Sequence, residues 1–322
     1  MKGFVYLVFS HGDTHQLIRL AKAIRRLSPQ SAIVFHHDAS SGPLSSAEFD
    51  GIGNVHVIPT PIAVKWGDIS FVDAFILSSR WILDNLDTEW LITLSGMDYP
   101  IQPLAEFELS LSKSGFDAAF RFFEAFTHPG WPKGEGEKRY RYSYYQLPEF
   151  TYYYRVPQRI KESLASLVSI INKSQSWIKI RPGYRNLKTA VGIQNGLAPF
   201  NDRMVCYGGW DWFNLNKKSL NEIHRFLNHN QSFRNYYKRT TLPSESMVHT
   251  ILLNNPDFKI DNDAHRHIKW IGSASASPST ITTEDFESII QSKHPFARKF
   301  NINVDQAIFD KLDNWTQRDT VD

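Results

Sequence analysis

Trp90-Leu91-Ile92-Thr93-Leu94-Ser95-Gly96-Met97-Asp98-Tyr99-Pro100 is an apolar run that stops abruptly in a small, polar, acid-bearing turn. Five residues rich in β-formers, without alternation, suit a strand covered on both faces, and the Ser-Gly-x-Asp that follows marks its carboxyl end. Working outward, Phe4–Phe9, Ala32–Phe35 and Asn54–Ile58 have the same character. Between them, Thr14–Leu27 places Leu17, Leu20, Ala21, Ile24 and Leu27 at helical spacing, and Ile69–Leu86 does so with Val72, Phe75, Ile76 and Ile82. Strand and helix alternate, which predicts an α/β fold around a largely parallel sheet.

The composition is that of an ordinary globular chain: of 322 residues, 42% are hydrophobic and 21% charged. A net charge of +3, with no basic block, argues against a nucleic-acid partner. Cys206 is the single cysteine, so no intramolecular disulfide forms, as suits a reducing compartment. Met1–His11 lacks a cleavage site and is interrupted by His11 and Asp13, so it is read as a first strand and not a signal peptide. No stretch reaches the roughly 20 apolar residues of a membrane span. A cytoplasmic protein is expected, peripheral at most to the inner face of the membrane.

Further along, regularity fails between about Phe120 and Pro157, where Arg121, Arg139, Arg141 and Arg155 mix with Trp131, Tyr140, Tyr142, Tyr144, Tyr145 and Tyr152–Tyr154. This is either a substrate-facing insertion or an aromatic loop on the core. Arg159–Asn172, Ser219–Leu227, Glu245–Leu253 and Thr283–Gln291 are predicted helices, Val205–Leu215 a strand, and Ser273–Ser279 a linker.

Ligands of open α/β sheets bind beyond the carboxyl ends of the strands. Ser10-His11, His36-His37-Asp38 and Ser95–Asp98 occupy that position, and a carboxylate there can accept hydrogen bonds from a base or ribose. Taken alone, Asp38 and Asp98 could equally cap the turns that follow. Zinc is disfavoured, since the histidines show no short ligand spacing. The only Asp-x-Asp, Asp261-Asn262-Asp263, follows Pro256 and reads as a turn. Without a cation, a leaving diphosphate needs cationic side chains, for which Arg266, Arg298 and Lys299 are candidates. Glu245, in Thr241-Leu242-Pro243-Ser244-Glu245-Ser246, is read at a helix start. There it either complements the helix dipole or serves as a rigidly held base.

Read together, these motifs resemble the core-2/I-branching N-acetylglucosaminyltransferases and peptide O-xylosyltransferases, glycosyltransferase family 14. The resemblance is carried by Tyr6-Leu7-Val8 through His11, Val34–Asp38, Trp90–Pro100, Gly209-Trp210-Asp211-Trp212-Phe213, Pro243-Ser244-Glu245, Arg266–Trp270 and Phe296–Phe300, in the family's order. It implies a single GT-A-type domain over residues 1–322, with a Rossmann-like, mostly parallel central sheet flanked by helices. Within it, 1–115 would hold the nucleotide-sugar, 116–260 the acceptor and catalytic residues, and 261–322 the diphosphate. It also implies a UDP-sugar donor (UDP-GlcNAc or UDP-xylose), inversion, and no cofactor or divalent metal. Glu245 would be the base. His11, Asp38, Ser95, Gly96, Asp98, Arg266, Arg298 and Lys299 would serve the donor.

Glu124, Lys138, Arg139, Trp210 and Asp211 are the expected acceptor side, for a glycan or lipid-linked glycan. Ser244 departs from the family's usual Asp. The scarcity of cysteine points to a bacterial relative that builds surface polysaccharide. Two alternatives remain at this stage: a carbohydrate-binding protein without turnover, and a glycoside hydrolase, which needs paired carboxylates.

Overall fold

The computed structural model describes residues 3–127, 130–148, 157–183, 188–196, 198–270 and 277–318. Tyr152–Tyr154, Arg155 and most of the expected linker Ser273–Ser279 lie outside these residues. The chain begins β1 (Phe4–Ser10), α1 (Thr14–Leu27), β2 (Ala32–His37), β3 (Val55–Val57), α2 (Ser70–Asn85) and β4 (Trp90–Ser95). Next come β5 (Asp98–Pro100), α3 (Leu104–Lys113), β6 (Ala118–Ala119), β7 (Phe122–Glu124), α4 (Glu135–Tyr140) and β8 (Tyr142–Gln146). They are followed by α5 (Gln158–Ser174), β9 (Ile178–Arg181), β10 (Ala190–Gln194), β11 (Tyr207–Gly209) and β12 (Asn214–Asn216). Then α6 (Lys217–His229), α7 (Gln231–Tyr237), α8 (Met247–Leu253), β13 (Ile260–Asp261) and β14 (Arg266–Ile268) lead to α9 (Phe286–Gln291), β15 (Phe296–Arg298) and α10 (Ala307–Arg318).

Seven strands form the central sheet in the order β13-β6-β12-β4-β1-β2-β3. All neighbours in it are parallel except those of β12, which runs antiparallel to both β4 and β6. This is the mostly parallel α/β sheet expected from the alternating pattern. Both faces are covered, which explains the unalternating sequences. Phe4, Tyr6, Val8, Ile33 and Phe35 point into a core closed by α1 and α10. Val5, Leu7, Ala32 and Val34 point to the opposite core with α2, α6 and α8. Because side chains of a strand alternate, each strand needs apolar residues at every position to serve both cores.

α1 begins where Asp13 accepts from the His15 amide at 2.8 Å, an N-cap that satisfies one orphan donor. Its buried stripe is the one predicted, and Arg19 holds Asp310 and Asp313 of α10 at 2.6 and 2.7 Å. Two expectations need correction. Val205–Leu215 is not one strand: it divides into β11 and β12, and Trp210-Asp211 sits at the break. Glu245 does not open a helix. It ends a one-turn 3₁₀ segment, Pro243–Glu245, after which Ser246 leaves helical geometry (φ −145) before α8 begins at Met247. The dipole reading of Glu245 therefore lapses.

Candidate active site

Because β2, β1 and β4 are adjacent and parallel, their polar carboxyl ends converge: Phe9 pairs with both His36 and Ser95. His37 Nδ1 lies 2.9 Å from Ser10 Oγ, and His36 Nε2 accepts the Ile62 amide at 3.0 Å. Burial holds both imidazoles below the ordinary histidine value, so they are neutral at physiological pH. His11 is exposed at the rim. Asp38 accepts from the Ser40 amide and hydroxyl, both at 2.9 Å, and from the Val64 amide at 3.1 Å. Burial alone would raise its pKa, but these bonds prevail and lower it. Asp38 is thus an ionised cap that ties two loops, as the turn reading anticipated. Gly96 packs closely: a Cβ there would meet Leu17 Cδ2 at 2.6 Å, so the end of that side chain would have to shift. The Ser95 hydroxyl accepts from the Met97 amide at 3.2 Å, closing the turn.

Asp98, placed by sequence at the nucleotide, is wholly buried. Its Oδ2 accepts from the Ser95 amide at 2.6 Å and from Trp212 Nε1 at 3.2 Å. The register of β5 against β15 sets it opposite Arg298, whose Nη1 lies 3.6 Å from Oδ1. With no surface of its own, Asp98 positions Arg298 and Trp212 and does not meet a ligand in this arrangement. Arg298 stacks 4.0 Å over the Trp212 ring, and among the described residues its Nε and Nη1 have no hydrogen-bond partner. It is a buried cation with unused donors.

Arg266 differs from its expected role. Only 3% exposed, it donates to the carbonyls of Ala264 (3.2 Å), His265 (3.0 Å) and Thr93 (2.8 Å) and stacks on Phe296. Those bonds bind β14 to the end of β4, which leaves its Nη donors committed to the protein. Lys299 is half-buried and reaches Ser277 Oγ at 3.4 Å, a weak contact.

Glu245 is held from several sides. Leu242 is in the left-handed region (φ 52), fixed by its amide on Gly67 O at 2.9 Å and its carbonyl under Tyr140 OH at 2.9 Å. Ser246 donates to Tyr207 O at 2.6 Å. The Glu245 carboxylate meets Arg139 Nη1 at 2.5 Å, Arg139 Nε meets Glu135 at 2.9 Å, and the guanidinium lies 4.4 Å over the Trp131 ring. The Glu245 side chain keeps 24% of its surface open. Burial raises its pKa, Arg139 opposes the rise, and Glu135 adds to it.

Asp211 is the second carboxylate of this site. Gly209 allows it: a Cβ would lie 1.9 Å from Arg121 O and 2.5 Å from His249 Nε2, so the backbone can pass only as glycine. Burial first, and then the Glu245 charge, push Asp211 up to about 7; Ser244, Arg298 and Arg139 pull the other way. Of two neighbouring carboxylates, the one directly paired with a guanidinium keeps the charge. Glu245 is therefore the ionised member and Asp211 the one that retains its proton into the neutral range.

A stability test follows. A carboxyl whose folded pKa is raised is stabilising when protonated, and that contribution is lost as pH rises from the unfolded value near 4 toward about 7. Asp211→Asn removes the loss. Relative to wild type, the variant is expected to gain on the order of 1–2 kcal/mol at pH 8 compared with pH 4.5. Denaturant melts at both pH values measure it, and an unchanged difference contradicts the buried-acid assignment.

Of the other acceptor candidates, Trp210 is half-buried and its amide meets Arg121 O at 3.3 Å. Glu124 is exposed and accepts from Thr127 at 2.8 Å, two residue pairs along the β7–β11 ladder from Gly209. Lys138 is exposed, 3.8 Å from Glu135. The structure thus brings Arg139, Asp211, Glu245 and Arg298 together and leaves Glu124 and Lys138 at the margin. The sequence reading did not find the Arg139–Glu245 pair, Glu135 and Trp131 behind it, or the Ser244–Asp211 contact. The Gly208-Gly209 doublet beside Trp210 was the one local sign of a close approach. Asp261 and Asp263 flank His265, at 3.4 and 3.9 Å, and Asp263 accepts the His265 amide at 2.7 Å, which is turn geometry.

Xylosyltransferase 1 of Canis lupus familiaris is 26% identical over 284 residues, which cover 81% of this chain and 25% of that protein. The beta-glucuronosyltransferase GlcAT14A of Arabidopsis thaliana is 24% identical over 334 residues, 97% of this chain and 63% of that one. The chain spans about a quarter of the length of the xylosyltransferase it matches. Among solved structures, the galactosyltransferase LgtC in complex with donor and acceptor sugar analogs superposes with a TM-score of 0.35 at 9% identity, over 97% of this chain and 95% of that chain. The family model described as Core-2/I-Branching enzyme matches residues 4–290, and the chain belongs to that family.

Proposed function

We propose that the chain is an inverting glycosyltransferase of the GT-A type, which moves GlcNAc or xylose from a UDP-sugar to a hydroxyl of a glycan or lipid-linked glycan. It needs no divalent cation. It works in a bacterial cytoplasm, at the inner face of the membrane, in surface polysaccharide synthesis. Family membership supports sugar transfer, and the observation that carries the mechanism is Glu245, ionised on Arg139 in a bolted turn beside Asp211 and Arg298. The acceptor hydroxyl gives its proton to Glu245 as its oxygen bonds to the anomeric carbon. The bond from that carbon to the diphosphate breaks in the same step and UDP leaves, so one base suffices. Lys299 and Arg298, whose side chain keeps 12% of its surface open, meet the charge that builds on the diphosphate. Incubation with labelled UDP-sugars and a panel of glycan acceptors tests this. Transfer is expected, and binding without turnover would return the chain to the carbohydrate-binding class.

Activity is expected to persist in excess EDTA, because Asp261-Asn262-Asp263 forms a turn instead of a donor site. Loss on chelation with rescue by Mn²⁺ would overturn this. Lys299→Ala is expected to weaken UDP inhibition by roughly 10- to 100-fold, the worth of one charge-assisted contact of about 1.5–3 kcal/mol. Arg266→Ala is expected to lower the melting temperature instead, since it loses three buried bonds to carbonyls. Equal effects of the two on UDP would show that Arg266 reaches the diphosphate after all.

A further inference from the structure

We propose that Ser246, Thr250 and Asn254 are positioning residues: from α8 and its two flanks they grip the edge of the segment that carries β11, and so fix Asp211 relative to Glu245. This rests on the reading of Glu245 as the base, but it is decided by a titration that needs no sugar transfer, so either can fail alone. Ser246, His249 and Thr250, at i, i+3 and i+4, share one face at the start of α8, and all three are wholly buried. A core-facing helix stripe is ordinarily apolar, so polar residues there answer to a partner that apolar ones could not serve.

That partner is backbone. β11 pairs with β7 in a sheet of two strands. Toward α8, the Tyr207 amide donates to Thr250 Oγ1 at 3.1 Å and the Tyr207 carbonyl accepts from Ser246 Oγ at 2.6 Å. Two residues back, the Val205 amide donates to Asn254 Oδ1 and the Val205 carbonyl accepts from Asn254 Nδ2, both at 2.8 Å. Side chains at 246, 250 and 254 thus stand where a third strand would. At the end of β11 the His249 ring lies against Gly209, where a Cβ would be 2.5 Å from Nε2. Tyr237, also wholly buried, places its hydroxyl 2.8 Å from Ser246 Oγ. Because the Ser246 proton is given to Tyr207, the tyrosine is the donor.

What the ladder joins shows its use. Glu245 is the residue before Ser246, and Asp211 is the second residue past the end of β11. Two strands can slip in register, whereas a side chain matched to each backbone group allows one register only. Glu245, Arg298 and Arg139 are the charges that act on Asp211. With α8 fixed on β11, Asp211 keeps one place among them.

The test is ¹³C NMR of the full chain labelled at its aspartate carboxyls, with Asp211→Asn identifying the resonance, on wild type, Thr250→Val and Thr250→Ser. Valine keeps the shape of threonine without the hydroxyl, and serine keeps the hydroxyl without the methyl. The wild-type midpoint is expected near 7. Thr250→Val is expected to lower it toward the ordinary aspartate value, as Asp211 moves away from the Glu245 charge. The same variant is expected to reduce kcat by about tenfold or more with the UDP-sugar KM within about twofold. Rescue of both quantities is expected from Thr250→Ser. Should Thr250→Val not fold, Ser246→Ala is read in the same way. A role in stability alone gives another pattern: lower melting temperatures, with the midpoint and kcat kept. That result overturns the proposal, as does a wild-type midpoint in the ordinary aspartate range. A wild type that transfers no sugar would remove Glu245 as the base and leave the midpoints to decide the spacing.

Discussion

Glu245→Gln is expected to lower kcat by on the order of 10²–10⁴-fold while UDP inhibition stays within about twofold. The amide keeps the shape of the side chain and can still meet Arg139 through its carbonyl, but it cannot take a proton from the acceptor. A carboxylate that served only to anchor Arg139 would show a different pattern: turnover spared, and a stability loss of about 1 kcal/mol. Kinetics and thermal unfolding on the one variant separate these. Near-normal turnover would move the search to Asp211.

The second large effect concerns the cation beside it. Arg139 meets Glu245 at 2.5 Å with side chains only 14% and 24% exposed, so Arg139→Gln leaves a nearly enclosed carboxylate without its counter-charge. Removal of one partner of a buried pair costs about 3 kcal/mol. The pH dependence is more diagnostic than the size. Burial already raises the Glu245 pKa and Arg139 restrains it. Without Arg139 the pKa climbs, and the acid limb of kcat/KM is expected to move to higher pH. Activity lost on the acid side would then return in alkali. Stability has the matching sign: the variant's deficit grows as pH rises through the carboxylate range, because the ionised form is the one that lost its partner. A profile that falls uniformly at all pH values would make Arg139 a structural residue, unconnected to the base.

The fold was legible because β1, β2 and β4 are covered on both faces and so are apolar at every position, while α1 shows one clean stripe. Short strands were not legible. β6, β13 and β14 have two or three residues each, too few for any periodicity, and are fixed by their neighbours. The position of Glu245 was legible through Pro243-Ser244-Glu245, but its local geometry was not. A proline two residues earlier suits the first turn of an α-helix as well as a 3₁₀ turn, and the left-handed Leu242 that decides between them is set by Gly67 and Tyr140, far away in sequence. Arg266 shows the same limit from the other side. Sequence reveals a cation in a motif, and only the packing of β14 against the end of β4 shows where its donors point. The partners of Glu245 come from α4 and the β11–β12 break, separated from it by 106 residues in the case of Arg139.

The most direct test of single-base inversion is proton NMR of the turnover mixture from an α-linked UDP-sugar, with the anomeric signal of the first product followed in time. The account predicts a product with the large trans-diaxial coupling of a β-linkage, formed together with free UDP and absent with Glu245→Gln. An α-linked first product would contradict it, as would cleavage of a glycan that needs no nucleotide-sugar.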